Sequence, residues 1–293
     1  MIYTLENENL KLSVNSLGAE MYALEHKPDG APLLWNGDKA VWPRRAPVLF
    51  PYAGKIKDGK VRIEGAEYPA PQHGFARDLE HTLVAQTADS LTFELAASEE
   101  TRKFFPYNFV LRTIFRLEGN TLHHTLEVDN RDERPMQFGI GYHPGFMLPF
   151  DEAHTTADYE VRFDGPQTPV VVNTQPGGLV NGDNGPLVEN QDVIPLRDDM
   201  FDADSICLSQ LTSRTLDLVE KDTGRGISFN IEGYPYVLLW SMPTRPLHFL
   251  CVEPWHSLPD RVDATGEWND KTPAARLAPG ESFSTDLAMT FRR

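Results

Sequence analysis

A glutamate interrupts the most apolar run of the sequence. In residues 247–258, LHFLCVEPWHSL, the apolar stretch ends at Glu253, and a proline and Trp255 follow it. A glutamate is rarely buried unless it is paired or functional. Partial desolvation beside Trp255 is expected to raise the pKa of the carboxyl group, which suits a general acid or base near neutral pH. A structural pair with an arginine or with backbone amides explains this segment equally well.

Two histidines have a comparable setting. His143 follows a strand-like run in GIGYHPGF, and His73 lies in QHGFAR after the turn-like segment YPAPQ. Neighbouring glycine and proline place both residues at strand ends or turns, where a side chain can face a cleft instead of crossing a sheet. A histidine with a pKa near neutral can be protonated and ready to donate. Both are candidates for proton transfer, although a lone histidine in a β protein is more often structural.

Aromatic residues accompany these segments. Most of them are expected in the core, but a ring at a strand end offers a flat apolar surface on which a sugar can stack. Trp255 and Tyr142 are the two candidates for this role, since each adjoins one of the segments above.

Short segments with a period of two must position these residues. The clearest hairpin lies in residues 108–133, where two alternating runs flank Glu-Gly-Asn, and residues 215–233 repeat the pattern around Asp-Thr-Gly-Arg-Gly. Helical periodicity is scarce and is limited to SEETRKFFPY. The pattern predicts an all-β protein, a large antiparallel β-sandwich with few short helices.

Strand patterns of the same style run through the whole chain, which favours one domain over residues 1–293. Residues 171–196 are predicted to form a long polar loop, and loops of that length are often functional or mobile.

Charge and composition limit the partners. The chain has 43 acidic and 27 basic residues, a formal net charge of −16. Nucleic acids and anionic membranes both require a basic surface, so neither is expected as a partner. No apolar run approaches the ~20 residues of a membrane span, and the N-terminus shows no signal-peptide pattern. We expect a cytoplasmic protein with a small-molecule partner, monomeric or homodimeric.

The two cysteines, Cys207 and Cys251, lie in apolar runs and are expected to be buried free thiols. No CxxC pair and no Cys/His zinc spacing occurs, and neither a GxGxxG nor a P-loop is present. The sequence therefore predicts neither a metal nor a cofactor.

Five segments in order point to a family. They resemble the aldose 1-epimerase (galactose mutarotase-like) superfamily, most closely its LacX-like branch, and the resemblance covers nearly the whole chain. The segments are WPRRAPVLFPYAGKIKDGK (42–60), QHGFARD (72–78), GIGYHPGF (139–146), FDADSICL (201–208) and CVEPW (251–255). The resemblance implies a galactose mutarotase-type β-sandwich that interconverts the α and β anomers of a free aldose without a cofactor.

The resemblance also implies roles. His143 is similar to the family's general acid, Glu253 to its general base, and His73 to the second active-site histidine, which hydrogen-bonds the sugar. In this scheme His143 protonates the ring oxygen while Glu253 takes the proton of the anomeric hydroxyl, and rotation about C1–C2 precedes closure.

The remaining sugar contacts fall on charged residues. Asp204 resembles the acidic residue that holds sugar hydroxyls, with Asp202 as the alternative, and Arg45 resembles the basic residue of the LacX-like branch. Lys55 stands where mutarotases carry an arginine, and the Asn-Arg pair that follows in them is absent. Lysine does not replace arginine in bidentate contacts, so the identity of the sugar stays open.

Three other functions are compatible with parts of this pattern. A sugar-binding module would not need an acid facing a base. A glycoside hydrolase would need a second carboxylate about 5–9.5 Å from the first, and no partner for Glu253 is evident. A mutarotase of phosphorylated hexoses would use cations, which the sequence offers as a cluster interpreted mainly as a solvated loop: Arg44, Arg45, Lys55, Lys57 and Lys60.

Overall fold

Strands dominate the computed structural model, which describes residues 1–174, 177–182 and 184–293. The helical segments are α1 (Glu99–Arg102) and 3-10 turns at Lys57–Gly59, Ala76–Asp78, Thr156–Asp158 and Trp268–Asp270. The strands are β1 (Ile2–Glu6), β2 (Leu10–Asn15), β3 (Glu20–His26), β4 (Ala31–Pro32), β5 (Val48–Leu49), β6 (Lys60–Ile63), β7 (Ala66–Pro69), β8 (Thr82–Gln86), β9 (Ser90–Ala96), β10 (Phe109–Glu118), β11 (Thr121–Asn130), β12 (Met136–Phe138), β13 (Gly141–Tyr142), β14 (Gly145–Met147), β15 (Tyr159–Gln167), β16 (Val170–Val171), β17 (Gly185–Pro186), β18 (Gln191–Pro195), β19 (Ile206–Ser209), β20 (Thr215–Glu220), β21 (Gly226–Asn230), β22 (Tyr236–Trp240), β23 (Phe249–Trp255), β24 (Ala275–Leu277) and β25 (Ser282–Arg292).

Two large antiparallel sheets form the body of the protein. The first has the order β18-β15-β20-β21-β25-β11-β10-β9-β8, and the second has the order β17-β16-β19-β22-β23-β13-β5, with β14 also paired to β23. Strands β1–β4 form a separate sheet, and β6-β7 and β12-β24 form two-stranded ribbons. The prediction of an all-β antiparallel sandwich with few short helices is confirmed.

Alternation along the strands explains why they form. In the hairpin β10-β11 every second side chain is buried as far as Val128, and Gly119 and Asn120 make the two-residue turn, with a φ of 55° at Gly119. Glycine adopts this conformation without a steric penalty, which matches a tight hairpin. The second predicted hairpin forms between β20 and β21. The helical turn predicted near Pro106 is α1, capped by Ser98.

The two large sheets pack face to face. Phe146 of the second sheet contacts Phe229 and Phe291 of the first, with ring centroids 5.3 Å and 6.1 Å apart. These rings belong to the main hydrophobic core, to which both sheets contribute. A shared core supports one domain over residues 1–293, which stays a prediction.

The segment 171–196 differs from the predicted loop. It contains β17, which pairs with β16 at the edge of the second sheet, and β18, which pairs with β15 at the edge of the first. Residues 175, 176 and 183 of the predicted loop lie outside the described residues. The sequence pattern missed these strands because edge pairing satisfies the backbone without requiring an apolar face.

Both cysteines are free and fully buried, as predicted. Among the helices that the structure describes, none has the length and apolar character needed to cross a membrane.

Candidate functional site

The strand β23 carries the candidate base. All seven of its residues are buried, and it lies in the interior of the second sheet between β22 on one side and β13 and β14 on the other. Side chains alternate along a strand, so Cys251, Glu253 and Trp255 share one face. Glu253 is only 1% exposed. A carboxyl group at this depth in a sheet is expected only where it has a function or a partner.

The candidate acid faces it from the neighbouring strands. His143 lies between β13 and β14, and its Nε2 is 3.4 Å from Oε2 of Glu253. Both residues line a cleft of about 360 Å³. Oε2 of Glu253 has no hydrogen-bond partner within the described residues. His143 and Glu253 are therefore close enough to contact neighbouring atoms of the same ligand.

Aromatic rings hold the imidazole of His143 in place. Trp42 stacks on it at 5.1 Å with an interplanar angle of 25°, and Trp240 meets it edge-on at 5.6 Å. Both tryptophans line the cleft, as does Trp255. Trp255 is fixed by an Nε1 hydrogen bond to the carbonyl oxygen of Tyr142 (3.1 Å).

The second histidine reaches the cleft through a tight turn. His73 has a φ of 65°, and the backbone N–H of Gly54 donates to its Nδ1 (3.1 Å). The ring centroid of His73 lies 5.4 Å from that of His143. Burial, followed by the charge of protonated His143 and of Arg77, lowers the pKa of His73 well below its usual value. A neutral ring that accepts at Nδ1 carries its proton on Nε2, so His73 is a hydrogen-bond donor.

Two of the charged residues predicted from the sequence line the cleft. Asp204 is one of them, whereas Asp202 pairs with Arg245 and does not line it. Lys55 is the other, and its Nζ donates to the carbonyl oxygen of Gly177 (2.7 Å). Of the two aspartates, Asp204 is therefore the one that lines the cleft.

Arg45 is not among the residues that line the cleft, and its role as a sugar ligand stays a prediction. Its guanidinium lies 3.9 Å over the ring of Tyr22, and its backbone N–H donates to Glu20 (2.7 Å). Both partners belong to β3, which draws the side chain toward the N-terminal sheet. The preceding residue, Arg44, lines the cleft instead.

Tyr142 is also placed elsewhere, so it offers no stacking surface to a ligand. It is 1% exposed, and its hydroxyl donates to the carbonyl oxygen of Thr285 (2.9 Å) in β25. Tyr142 ends β13, and its bond to β25 places its side chain between the two sheets.

Burial separates the proton affinities of the central pair. It raises the pKa of Glu253 well above the usual value, and the negative charge of Asp204 adds to the effect. It lowers the pKa of His143 to about 3, with a further contribution from the positive charge of Arg77. The direction at Glu253 matches the sequence-based expectation. The expected near-neutral histidine is not found, because burial and the neighbouring positive charges lower the pKa of His143.

Two side-chain clusters have ligand types that metals bind. His143, Cys251 and Glu253 place one ligand atom each within 4.8 Å of one another. Burial raises the pKa of the Cys251 thiol well above its usual value, which opposes the thiolate that a metal needs. The second cluster is Asp151, His154 and Glu220, where the guanidinium of Arg225 already bonds both carboxylates. The predicted absence of a metal stays a prediction.

Several residues that line the cleft were not predicted from the sequence. Arg77 lines the cleft next to Gln72, whose carbonyl oxygen accepts from its Nη2 (2.8 Å). Arg77 lies in the recognisable segment QHGFARD, but nothing in that segment indicated which way its side chain points. Trp42 and Trp240 also line the cleft, and the residue type alone does not separate a tryptophan of a cleft wall from one of the core.

Comparison with known proteins gives the family. The aldose 1-epimerase family model matches residues 1–290. Protein LacX (plasmid) from Lactococcus lactis subsp. lactis is 30% identical over 298 residues, which covers 99% of each chain. A galactose mutarotase related enzyme from Lactobacillus acidophilus has a TM-score of 0.95 at 30% identity, covering 100% of this chain and 98% of its own. A galactose mutarotase-like protein from Lactobacillus casei has a TM-score of 0.91 at 28% identity, covering 100% of both chains. The chain therefore belongs to the aldose 1-epimerase family.

Proposed function

We propose that the protein is an aldose 1-epimerase that interconverts the α and β anomers of an aldose by general acid–base catalysis at His143 and Glu253. The observation that carries the proposal is the 3.4 Å separation of these two groups inside one cleft. Mutarotation needs one group to protonate the ring oxygen and another to take the anomeric proton, and both atoms are bonded to the same carbon. A donor and an acceptor that converge on one point supply both transfers.

The pair holds one proton in total, and both of its arrangements take part in the cycle. Ring opening starts with the proton on His143 and leaves it on Glu253, because His143 gives a proton to the ring oxygen and Glu253 takes one from the anomeric hydroxyl. Ring closure runs the same transfers in reverse. Burial favours the second arrangement, because it raises the pKa of Glu253 and lowers that of His143. A sugar hydroxyl that donates to the Glu253 carboxylate favours the first, since hydrogen bonds to an ionised group stabilise it.

Other cleft residues position the sugar. His73 donates from Nε2, Asp204 accepts from hydroxyl groups, and Lys55 supplies a cation close to the carbonyl oxygen of Gly177. The apolar wall of the cleft includes Trp255, which is held against rotation by its bond to the Tyr142 carbonyl. Gly141 makes room for this indole, because a Cβ at position 141 would lie 2.6 Å from Cδ1 of Trp255.

The test is the rate of anomer exchange. Exchange NMR between the two anomeric protons follows interconversion at equilibrium, so pure anomers are not required, and the uncatalysed rate is subtracted. Acceleration that saturates with sugar and disappears in His143→Gln and Glu253→Gln supports the proposal. Saturable binding of sugars with no acceleration of any of them contradicts it and indicates a binding protein.

The pH dependence of kcat/KM provides a separate prediction. The active form holds one proton on the His143–Glu253 pair. Activity therefore falls at acid pH, when His143 takes up a second proton for the pair, and at alkaline pH, when Glu253 loses the only proton of the pair. The charge of Asp204 raises the pKa of Glu253, so Asp204→Asn should move the alkaline limb to lower pH. The charge of Arg77 lowers the pKa of His143, so Arg77→Gln should move the acid limb to higher pH.

The limb positions can be measured even where the variants lower the maximal rate. His73 and Arg44 also face the pair, and both are kept in Asp204→Asn and in Arg77→Gln. The shift of a limb in either variant therefore reports the loss of one charge. Limbs that stay in place in both variants would show that the pH profile does not report this pair.

A further inference from the structure

A second cavity adjoins the cleft. It has a volume of about 430 Å³, and its lining includes Tyr236 at the start of β22 and much of the segment 263–272. Pro259 lines both spaces, whereas its neighbours Leu258 and Asp260 line the second cavity and not the cleft. The chain at Pro259 therefore forms a wall between the two spaces. None of the site residues predicted from the sequence lines the second cavity.

The charged side chains that line the second cavity have partners within the protein. The pairs are Lys271 with Asp260 (2.9 Å), Arg261 with Asp263 (2.9 Å), Glu267 with Arg62 (2.6 Å) and Asp270 with the hydroxyl group of Thr265 (2.7 Å). A charged ligand would have to displace one of these partners. A hydroxyl group can share a paired carboxylate or ammonium group, because each of these has several hydrogen-bonding positions. The lining therefore suits a neutral ligand with several hydroxyl groups.

Two polar groups of the lining have hydrogen-bonding capacity left. Ser257 is 1% exposed, and its Oγ has no hydrogen-bond partner within the described residues. Nζ of Lys271 donates to the carbonyl oxygen of Leu258 (2.7 Å) and to Asp260, which leaves one of its three N–H groups among the described contacts. A buried hydroxyl group without a partner is destabilising, so it is expected where a ligand supplies the partner.

Tyr236 supplies a flat apolar surface next to these groups. It is the cross-strand partner of Trp255, so the two side chains lie on the same face of the second sheet. Both pack in one small hydrophobic cluster, together with Leu258. Trp255 lines the cleft, and Tyr236 lines the second cavity. Each space therefore combines an aromatic ring with hydrogen-bonding groups, the combination that a sugar ring requires.

We propose that the second cavity is a binding site for a neutral sugar in its ring form, separate from the cleft. The apolar face of a pyranose stacks on Tyr236, while its hydroxyl groups bond Ser257 and Lys271. The sugar is bound there and not converted, since no histidine lines this cavity in the part of the chain that the structure describes. Such a site adds to the proposed function and does not depend on it.

The wall between the two spaces is tied to residues of the cleft. The backbone N–H of Asp260 donates to the carbonyl oxygen of Lys55 (2.9 Å). Pro259 packs against Gly54, where a Cβ would lie 2.4 Å from Cγ of the proline, and the N–H of Gly54 donates to His73. A sugar in the second cavity fixes this wall, so it reduces the entropy lost when the cleft orders around its own ligand.

Indole N–H resonances can report the two sites separately. Trp268 lies within the segment that lines the second cavity, between the lining residues Glu267 and Asp270, whereas Trp42 and Trp240 line the cleft. The protein labelled with ¹⁵N in its tryptophans is titrated with methyl α-glucopyranoside and methyl α-galactopyranoside, which cannot change anomer. Single Trp→Phe variants assign the resonances.

We expect at least one glycoside to shift the Trp268 resonance with a Kd that differs from the Kd reported by Trp42 and Trp240. Sorbitol has hydroxyl groups but no ring, and it should bind at Trp268 at least about fivefold more weakly. Sorbitol that binds as tightly as the glycosides contradicts a site for a ring.

Variants of the lining locate the effect. Ser257→Ala removes one hydrogen bond to the ligand and should raise the Kd at Trp268 about threefold to tenfold. Its thermal unfolding midpoint should stay close to that of wild type, because Oγ bonds nothing in the described chain. Tyr236→Leu should raise this Kd at least about fivefold, whereas Tyr236→Phe, the matched control that keeps the ring, should leave it unchanged. The Kd reported by Trp42 should change less than that reported by Trp268 in each variant.

The coupling is measured by anomer exchange of glucose in the presence of methyl α-glucopyranoside. Competition at the cleft is the same in wild type and in Tyr236→Leu, so the ratio of their apparent KM values isolates the second site. Apparent KM should be about fivefold lower in wild type than in Tyr236→Leu, at the lower end of measured coupling between sites. Equal values would overturn the coupling.

A Trp268 resonance that stays in place while those of Trp42 and Trp240 shift would overturn the second site. So would a Trp268 resonance that follows the cleft resonances with one Kd in wild type and in all three variants. The glycosides are not turned over, so either result leaves the epimerase proposal intact. Conversely, a protein that accelerates no sugar but shows the Trp268 response would retain the second site and lose the epimerase proposal.

Discussion

Replacing Glu253 by glutamine is expected to lower kcat for anomer exchange by about 10²–10⁴-fold, the range that one acid–base group contributes. Glutamine has nearly the same shape as glutamic acid but cannot take a proton from the anomeric hydroxyl. Because Glu253 lies 3.4 Å from His143 and the proposed cycle passes one proton through the pair, the two residues are expected to act as one unit. The double variant with His143→Gln is therefore expected to be little slower than either single variant.

Stability gives this prediction a second signature. The pKa of Glu253 is raised in the folded protein, whereas the same side chain in the unfolded chain has a pKa of about 4.3. Above that pH the unfolded chain binds fewer protons than the folded protein does. The wild-type protein therefore loses stability as the pH rises past about 4.3. Glu253→Gln removes this loss. The variant should be more stable than wild type at about pH 7, and the gain should vanish at about pH 4.

His143→Gln should show the opposite pH window. The pKa of His143 is lowered to about 3, so wild type loses stability as the pH falls below the unfolded value of about 6.5. The variant should gain stability relative to wild type only on the acid side of that value, less any loss of stacking on Trp42. Thermal unfolding from acid to neutral pH measures both windows. A Glu253→Gln enzyme within tenfold of wild-type kcat contradicts its assigned role.

The strands and the identity of the central pair, His143 and Glu253, can be predicted from the sequence because both depend on local features. Alternation alone predicts β10 and β11, and a carboxyl group inside an apolar run singles out Glu253. The direction of Tyr142 is not local in this sense. Tyr142 ends β13, His143 follows the strand, and the tyrosine hydroxyl is held by the Thr285 carbonyl in β25.

The choice between Arg44 and Arg45 could not be made in that way. Both lie in an irregular segment before β5, where no period assigns a face. Their directions are set by distant partners, Asp78 for Arg44 and the ring of Tyr22 for Arg45. The pKa values of the central pair are likewise a property of burial by several strands and of charges from other segments. Neither kind of information is present in the local pattern.

The turn that carries His73 depends on a glycine that no other residue can replace. Gly74 has a φ of 75°, and a Cβ at this position would lie 2.0 Å from the carbonyl oxygen of Phe50. That oxygen accepts from the backbone N–H groups of Phe75 (3.0 Å) and Ala76 (3.3 Å), so it cannot move away without loss of both bonds. Only glycine combines the positive φ with this close approach.

Gly74→Ala is therefore expected to lower the free energy of unfolding by about 3 kcal/mol or more, since backbone strain and a clash with backbone combine at one site. The matched control is Gly65→Ala in the β6-β7 turn, where φ is 82° but a Cβ meets nothing within 4 Å. The control keeps the conformational penalty without the clash and should cost about 1 kcal/mol. Denaturant unfolding of both variants separates the two contributions.

In the Gly74→Ala protein that remains folded, the displaced His73 should raise KM for the sugar, whereas Gly65→Ala should leave KM unchanged. Equal losses of stability in the two variants would show that the turn yields to the new side chain and that the Phe50 carbonyl does not fix His73.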